Sequence, residues 1–174
     1  HIVDAMGGTI EVQSTQNEGT TFTINVDMKK SNSCNLINDD NEDNLENLKG
    51  KKILLVEDNE LNREIARALL EEIGLDLEYA EDGQIGVNMF SSSSIGYYNL
   101  IFMDIRMPNM NGYEATTAIR ALEREDAKTI PILAMSAAAF SDDIKKSLES
   151  GMNNHISKPL DNQIIVQNLL RYLK

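Results

Sequence analysis

From Lys51 onward, the sequence alternates five times between a short apolar run and a longer segment in which apolar residues recur every three or four positions. Short apolar runs are typical of buried strands, and the longer segments are typical of amphipathic helices. A chain that alternates in this way forms a parallel sheet with helices on both faces, because each parallel connection crosses over the sheet. Right-handed crossovers then predict a doubly wound α/β unit with five parallel strands.

The predicted strands are short, and each ends in or just before a polar residue. They cover Lys52–Val56, Leu75–Ala80, Leu100–Met103, Ile130–Met135 and Asn154–Ser157. The first and last helices are predicted over 59–73 and 161–173. The helices between them are predicted to start at three polar residues that suit an N-cap position, namely Asp82, Asn111 and Ser141. Asn111 and Glu114 also have the spacing of a capping box.

The first 50 residues have a different composition. In residues 1–28, a short helical face ends at Gly7-Gly8, and two segments then alternate as strands do, which predicts a helix end followed by a β-hairpin. Residues 29–50 are polar and acidic, with too few apolar side chains to offset the entropy of ordering, so they are predicted to form a flexible linker. An α/β domain is predicted over 51–174.

Charge and composition exclude several classes of function. The 174-residue chain has 28 acidic residues against 16 Lys and Arg, a formal net charge of −12, so a nucleic-acid backbone would be repelled. No apolar run approaches the roughly 20 residues of a membrane span, and the single cysteine, Cys34, fits a reducing compartment. These features predict a cytoplasmic fragment that contacts neither nucleic acid nor membrane, although its parent protein can still be membrane-anchored.

Polar side chains lie at the carboxyl ends of four of the predicted strands. Glu57 and Asp58 follow the first strand, and Asp104 follows the third. Ser136 and Lys158 follow the fourth and fifth strands. Because parallel strands point the same way, we expect these five side chains to converge at one edge of the sheet, where open α/β sheets bind ligands.

Three carboxylates at one edge predict a bound cation. At surface-like dielectric each pair repels by about 1 to 4 kcal/mol, and a divalent ion would relieve this repulsion. Hard oxygen ligands with room for water and phosphate oxygens favour Mg²⁺. Asp58 and Asp104 are predicted to bind the ion directly and Glu57 through water. The main-chain carbonyl of Arg106 is the predicted third protein oxygen.

This set of groups predicts phosphoryl chemistry. An ionised carboxylate beside Mg²⁺ can attack a phosphoryl donor in line, while positive charge and hydroxyl donors stabilise the equatorial oxygens. Asp104 would be the nucleophile and would become an acyl phosphate. Lys158 would supply a mobile charge and Ser136 a hydroxyl donor.

Residues 51–174 resemble a receiver domain of two-component phosphorelay signalling. The resemblance rests on four segments that match in order and spacing: ILLVEDNELNREIA, LIFMDIRMPNMNGYEAT, PILAMSA and GMNNHISKPLD. It implies the flavodoxin-like receiver fold. It also implies the roles of the five polar residues: Asp104 as the phosphoacceptor, Glu57 and Asp58 as the acidic pair, Ser136 as the switch hydroxyl and Lys158 as the phosphate-binding lysine.

The same resemblance assigns roles to residues near these five. It implies a cis peptide bond before Pro159. Three positions before Lys158, where the family usually has a Tyr or Phe that moves inward on phosphorylation, this sequence has His155. His155 is either the second switch residue, which would make the switch pH-sensitive, or a half-exposed strand residue. Arg106 and Ala138 are expected to flank the phosphoryl pocket, where their side chains admit or exclude hydrolytic water.

The N-terminal segment resembles the last helix turn and closing hairpin of a histidine-kinase ATP-binding domain, through HIVDAMGGTIEVQS and EGTTFTINV. The residues with which that family holds ATP lie upstream of this match, so the fragment is not expected to bind ATP. The order of segments implies the C-terminal end of a hybrid sensor histidine kinase. The fragment itself would catalyse only its own phosphorylation and slow hydrolysis at Asp104.

The resemblance further implies a partner, either a histidine-containing phosphotransfer domain or the phosphohistidine domain of the parent kinase. Leu61, Ile65 and the loop near Pro159 are candidates for its docking surface, although Leu61 also fits a position in the core. Whether two receiver domains form a dimer stays open.

Three other functions fit part of the pattern. A haloacid-dehalogenase phosphatase also uses a strand-end Asp nucleophile, but it needs a second acid where this chain has Arg106. A flavodoxin-like flavin carrier needs a hydroxyl- and glycine-rich loop where this chain has Glu57 and Asp58. A phosphorylation-independent interaction module, or pseudo-receiver, is the remaining alternative, although such a domain normally lacks one of the five site residues.

Overall fold

The computed structural model describes residues 3, 7–15, 19–26, 45–137 and 141–173. The chain consists of two compact units, His1–Leu36 and Ile37–Lys174, and each is described by itself. Most of the predicted linker, residues 29–44 with Cys34, lies outside the described residues. So do Met28 of the predicted hairpin and Ala138 of the predicted pocket rim.

The first unit contains the predicted β-hairpin. Strands β1 (Thr9–Thr15) and β2 (Gly19–Asn25) pair antiparallel. Four apolar residues face each other across the ribbon in two pairs: Ile10 with Ile24 and Val12 with Phe22. Residues two apart on a strand share a face, so these four side chains form one apolar strip, and they are 51 to 64% exposed.

The second unit is a five-stranded parallel sheet flanked by helices, as predicted. Its strands are β3 (Lys52–Val56), β4 (Asp76–Ala80), β5 (Leu100–Asp104), β6 (Ile132–Ser136) and β7 (Asn154–Ser157). Their order in the sheet is β4-β3-β5-β6-β7, with every neighbouring pair parallel. The helices are α1 (Glu60–Glu72), α2 (Gly83–Ser92), α3 (Gly112–Ala121), α4 (Glu125–Thr129), α5 (Ser141–Glu149) and α6 (Asn162–Tyr172). Across the described ranges, no helix combines the length and apolar character needed to cross a membrane.

Side-chain caps fix where four of the helices begin. Asn59 accepts a hydrogen bond from the Asn62 backbone N–H at the start of α1, and Asp82 caps α2 in the same way. Asn111 forms the predicted capping box with Glu114, and Asp161 caps α6. Each cap satisfies backbone N–H groups that have no partner within the helix. Because each cap follows the carboxyl end of a strand, the caps fix the turns at that edge of the sheet.

Two apolar clusters cover the two faces of the sheet. On one face, the β3 residues Leu54 and Val56 pack with Phe90 of α2 and Ile119 of α3. On the other face, the alternate β3 residues Ile53 and Leu55 pack with Leu70 of α1 and Leu169 of α6. The alternating strand side chains thus bury both faces, which is why these strands are apolar at consecutive positions.

The structure differs from the prediction around the fourth strand of this sheet. Strand β6 begins at Ile132 rather than Ile130, because Pro131 has no N–H to donate and cannot take part in the ladder from that side. A short helix, α4, precedes it, and of its five residues only Ala127 is buried. A one-turn helix with a single buried residue leaves no apolar periodicity in the sequence to predict it from.

The apolar stripe of α1 lies partly on the surface. Leu61, Ile65 and Leu69 recur every fourth position, whereas an α-helix turns once every 3.6 residues, so such a stripe drifts around the helix. The structure buries Ala66 and Leu70 instead. Leu61 is left 69% exposed and Ile65 48% exposed, so Leu61 is not a core residue.

The core also takes in a residue that the sequence places in the predicted linker. Leu48 is fully buried and packs in the same cluster as Leu70 and Leu75. The backbone N–H of Gly50 donates to the carbonyl of Gly74. Residues 45–50 therefore pack as part of the second unit rather than as a separate flexible segment.

Candidate active site

The carboxyl ends of the parallel strands bring the predicted polar residues together. Glu57 and Asp58 follow β3, Asp104 is the last residue of β5, and Ser136 is the last residue of β6. Lys158 follows β7. Glu57, Asp104 and Ser136 are at most 5% exposed, whereas Asp58 is exposed. The site is therefore a mostly buried group of charges with one carboxylate open to solvent.

Three carboxylates lie close enough to bind one ion. One carboxylate oxygen from each of Glu57, Asp58 and Asp104 lies within 4.8 Å of the others. These are hard oxygen donors, two of them buried, and the third is open to solvent. Such a donor set fits Mg²⁺, which binds a few carboxylates and keeps several waters.

Lys158 joins the two buried carboxylates. Its Nζ atom lies 2.5 Å from Oε2 of Glu57 and 2.9 Å from Oδ2 of Asp104, and its side chain is 16% exposed. The peptide bond between Lys158 and Pro159 is cis, as the resemblance implied. Lys158 thus supplies positive charge where two like charges would otherwise repel each other in a buried setting.

Burial sets the protonation behaviour of Asp104. It raises the pKa of the Asp104 carboxyl above its usual value, and the nearby charge of Glu57 raises this pKa further. Hydrogen bonds from Lys158 and from the backbone N–H of Arg106 act in the opposite direction. The ionised carboxylate is therefore held at a cost, which a bound cation would reduce.

The loop after β5 returns to the strand end through a close backbone approach. The Gly112 N–H donates to the Ile105 carbonyl at 3.0 Å. A Cβ atom on Gly112 would lie 2.2 Å from the backbone oxygen of Asp104, so a larger residue would push this loop away. Asn109, with a φ of 61°, donates from its side-chain amide to Asp82 at 2.9 Å. These contacts hold Asp104 and the loop after it in one arrangement.

His155 links the hydroxyl of Ser136 to a helix. Its Nε2 atom is 2.8 Å from Oγ of Ser136, and its Nδ1 atom is 3.1 Å from Oγ of Ser147 on α5. The Ser147 hydroxyl donates to the carbonyl of Asp143 at 2.9 Å, so it accepts from Nδ1–H. If the ring is neutral, Nε2 is then the acceptor, and the hydroxyl of Ser136 can donate to it.

Sequence reasoning did not single out three residues that contact the predicted site. Ser147 belongs to the chain of hydrogen bonds through His155. Asn62 and Arg63, in the first turn of α1, contact Glu57 and the backbone after β3. The sequence does contain a signal for Asn62 and Arg63, which lie five and six residues after Glu57. Side chains in the first turn of a helix point toward its N-terminus, so on a helix that starts at residue 60 they point back toward the end of the strand.

A family model for the response regulator receiver domain matches residues 53–170. The chain belongs to this family. The predicted receiver domain is therefore confirmed, together with its five-stranded parallel fold.

Proteins with similar sequences are hybrid histidine kinases. The receiver region is 36% identical over 119 residues to hybrid signal transduction histidine kinase I of Dictyostelium discoideum. The matched stretch covers 67% of this chain and 7% of that protein. The aerobic respiration control sensor protein ArcB of Escherichia coli is 33% identical over 156 residues, covering 89% of this chain and 19% of ArcB. This receiver is thus of the kind found in hybrid kinases, and the chain spans a small part of such proteins.

Solved receiver structures match the second unit. One match is the receiver domain of the sensor histidine kinase PA1611 from Pseudomonas aeruginosa, which was crystallised with a magnesium ion in its active-site cleft. It is 35% identical to this chain, with a TM-score of 0.65, and the match covers 71% of this chain and 98% of that one. The receiver domain of Ssk1, solved with the histidine phosphotransfer protein Ypd1 of Saccharomyces cerevisiae, is 28% identical, with a TM-score of 0.64 over 72% of this chain and 90% of that one.

Asp104→Asn tests the buried charge of the receiver site. Because the folded pKa of Asp104 lies above the unfolded value near 3.8, the ionised group lowers the free energy of unfolding at neutral pH. This penalty disappears as the pH falls through the folded pKa toward 3.8. We expect Asp104→Asn to raise the midpoint of thermal unfolding at pH 7 in EDTA, and to lose this advantage in acid.

Circular dichroism melts measure both effects. Asp76→Asn, at an exposed acid on β4, is the matched control and should change the midpoint little. Added Mg²⁺ should stabilise the unchanged chain more than the Asp104→Asn variant. A variant less stable than the unchanged chain at neutral pH would contradict this account of the site.

Proposed function

We propose that this receiver domain accepts a phosphoryl group on Asp104 in a two-component phosphorelay, and then passes it on or switches a partner surface. One observation carries the proposal. Lys158 lies within hydrogen-bonding distance of Asp104 and Glu57, with Asp58 close by at the same sheet edge. A nucleophilic carboxylate, a cationic donor and a cluster of oxygen ligands are the groups that in-line phosphoryl transfer requires.

In the proposed reaction, a carboxylate oxygen of Asp104 attacks the phosphorus of a phosphohistidine. The new P–O bond forms as the P–N bond breaks, and the departing imidazole takes up a proton. Lys158 and Ser136 then donate hydrogen bonds to the oxygens of the aspartyl phosphate. Asp58, Asp104 and the Arg106 carbonyl would hold Mg²⁺, with Glu57 acting through water. When bound, the ion supplies positive charge to the carboxylates and phosphoryl oxygens.

The proposed parent is a hybrid sensor histidine kinase, which can be membrane-anchored, and this fragment of it is proposed to lie in the cytoplasm. Residues 1–28 are proposed to close its ATP-binding domain, and residues 29–50 to connect that domain with the receiver. Two observations support this order. The similarity to the kinase mak3 of Schizosaccharomyces pombe covers 95% of this chain at 30% identity, well beyond residues 53–170. The apolar strip on the hairpin also has the pattern of a strand pair that belongs to a larger layer.

The proposed phosphodonor or acceptor is a histidine-containing phosphotransfer domain, or the phosphohistidine domain of the parent kinase. Leu61 and Ile65 are exposed on α1, which begins three residues after Glu57. Exposed apolar side chains beside a charged site are typical of a protein interface. The complex of Ypd1 with the Ssk1 receiver shows that a relative of this chain binds such a partner.

The proposed switch depends on one hydroxyl hydrogen. Before phosphorylation, the hydroxyl of Ser136 would donate to Nε2 of a neutral His155 ring, 2.8 Å away. A phosphoryl oxygen on Asp104 accepts hydrogen bonds, so Ser136 must redirect its hydrogen toward it. Protonation of His155 at Nε2 then becomes more favourable, because the protonated nitrogen can donate to the Ser136 oxygen. Because His155 also contacts Ser147, the change reaches α5.

Labelling by a small phosphodonor tests the phosphoacceptor. Intact mass spectrometry after incubation with acetyl phosphate and Mg²⁺ should show one added phosphoryl group on the unchanged chain. We expect none on Asp104→Asn or when EDTA replaces Mg²⁺, whereas Asp76→Asn should label normally. Absence of labelling under every condition would instead favour the interaction-module alternative.

Transfer from a phosphohistidine tests the docking surface. With phosphorylated Ypd1 as the donor, Ile65→Asp should reduce the rate of transfer at least severalfold relative to the rate of labelling by acetyl phosphate, because a buried charge weakens an apolar contact. Ile95→Asp, at an exposed residue in the loop after α2, is the matched control and should leave this ratio unchanged. Equal ratios for the two variants would place the docking surface elsewhere.

Nuclear magnetic resonance tests the switch. At a pH near 7, phosphorylation should increase the proton occupancy of the His155 ring, seen in its ring-carbon resonances, while His1 serves as an internal reference. Among the described residues, the groups around the ring include Ser136, Ser147, Asp143 and Tyr113, which lies against Asp143 and Ser147. Tyr113→Phe keeps the ring packing and is the control for its phenol. An unchanged His155 titration on phosphorylation would rule out the proton-coupled switch.

A further inference from the structure

The acidic pair of this site lies on a short turn that lacks regular secondary structure. Glu57 and Asp58 lie between the end of β3 at Val56 and the start of α1 at Glu60. The Glu57 N–H still donates to the Ala80 carbonyl, but the turn leaves the next carbonyl groups outside the sheet ladder. The direction in which the two carboxylates point is therefore set by whatever holds these carbonyls.

Arg63 holds both of them. One guanidinium nitrogen, Nη1, donates to the Glu57 carbonyl at 2.8 Å and to the Asp58 carbonyl at 2.9 Å. The other terminal nitrogen, Nη2, lies 3.5 Å from a carboxylate oxygen of Glu81, and the Arg63 side chain is 16% exposed. A guanidinium can make several hydrogen bonds in fixed directions, so a single side chain fixes the path of the turn.

Asn62 holds the carboxylate of the buried acid. Its side-chain amide donates to Oε1 of Glu57 at 2.8 Å, while Lys158 contacts Oε2. In the proposed function, Lys158 moves its charge toward the phosphoryl group. Asn62 would then remain the donor to Glu57 and would keep this carboxylate oriented for metal binding.

We propose that Asn62 and Arg63 are positioning residues for the metal-binding acids, and this inference rests on the proposed function. Residues that orient metal ligands through hydrogen bonds typically change metal affinity by 10- to 100-fold when they are mutated. Arg63 carries a positive charge beside a cation site, so its charge alone would weaken Mg²⁺ binding. As a positioning residue, Arg63 would instead strengthen Mg²⁺ binding. Removing the side chain therefore distinguishes an effect of charge from an effect of positioning.

Isothermal titration of the unphosphorylated full chain with MgCl₂ makes this separation without any phosphodonor. We expect Arg63→Ala to raise the dissociation constant for Mg²⁺ about tenfold. Arg67→Ala is the matched control, because it removes the same charge one turn along α1, where the side chain is 48% exposed and pairs with Glu64 and Glu71. It should change the dissociation constant less than twofold. Unchanged or tighter binding by Arg63→Ala would overturn the inference.

Asn62→Asp gives a second test that does not depend on Arg63→Ala folding. The added negative charge would tighten Mg²⁺ binding if charge alone mattered, but the new carboxylate cannot donate to Glu57 and repels it. We expect weaker binding, and tighter binding would overturn the role of Asn62. Circular dichroism melts in EDTA confirm that each variant is folded. If the unchanged chain binds no Mg²⁺, the metal in the proposed function and this inference both fail. If it binds and the variants bind equally, only the inference fails.

Discussion

The site depends on charge compensation between residues that are far apart in the chain. Lys158 follows the last strand, yet it contacts Glu57 next to the first strand of the sheet, 101 residues earlier, and Asp104 in the middle. Two buried carboxylates this close would be unstable without a cation. The five-stranded parallel sheet brings the three side chains to one edge. The sheet therefore places Lys158 beside the two acids, and Lys158 in turn offsets the repulsion that the sheet creates between them.

Much of this arrangement could be predicted from the sequence because it follows from direction and periodicity. Apolar runs that end in Glu57, Asp104 and Ser136 predict parallel strands, and parallel strands place their carboxyl ends at one edge. The caps at Asp82 and Asn111 could be predicted for the same local reason, since a short polar side chain before an amphipathic run satisfies the first backbone N–H groups. These signals lie within a few residues of what they predict.

The remaining features depend on contacts that no local pattern encodes. Ser147 meets His155 only because α5 packs beside β7, and nothing near Ser147 in the sequence marks that contact. The sequence could not decide whether Leu61 is buried or exposed. An apolar stripe predicts which side of a helix faces the core, but not whether the residue at the end of the stripe contacts it. Arg63 has the composition of an ordinary surface helix residue, and its two carbonyl partners become visible only when the turn after β3 is in place.

The long separation between Glu57 and Lys158 also bears on how the chain is synthesised. A nascent chain that ends before β7 already contains three carboxylates at the sheet edge but lacks the lysine that joins two of them. Repulsion among these acids then acts against closing the edge until the last strand pairs with β6. Compensation of the two buried carboxylates by Lys158 therefore requires that β7 has been synthesised and has paired with β6.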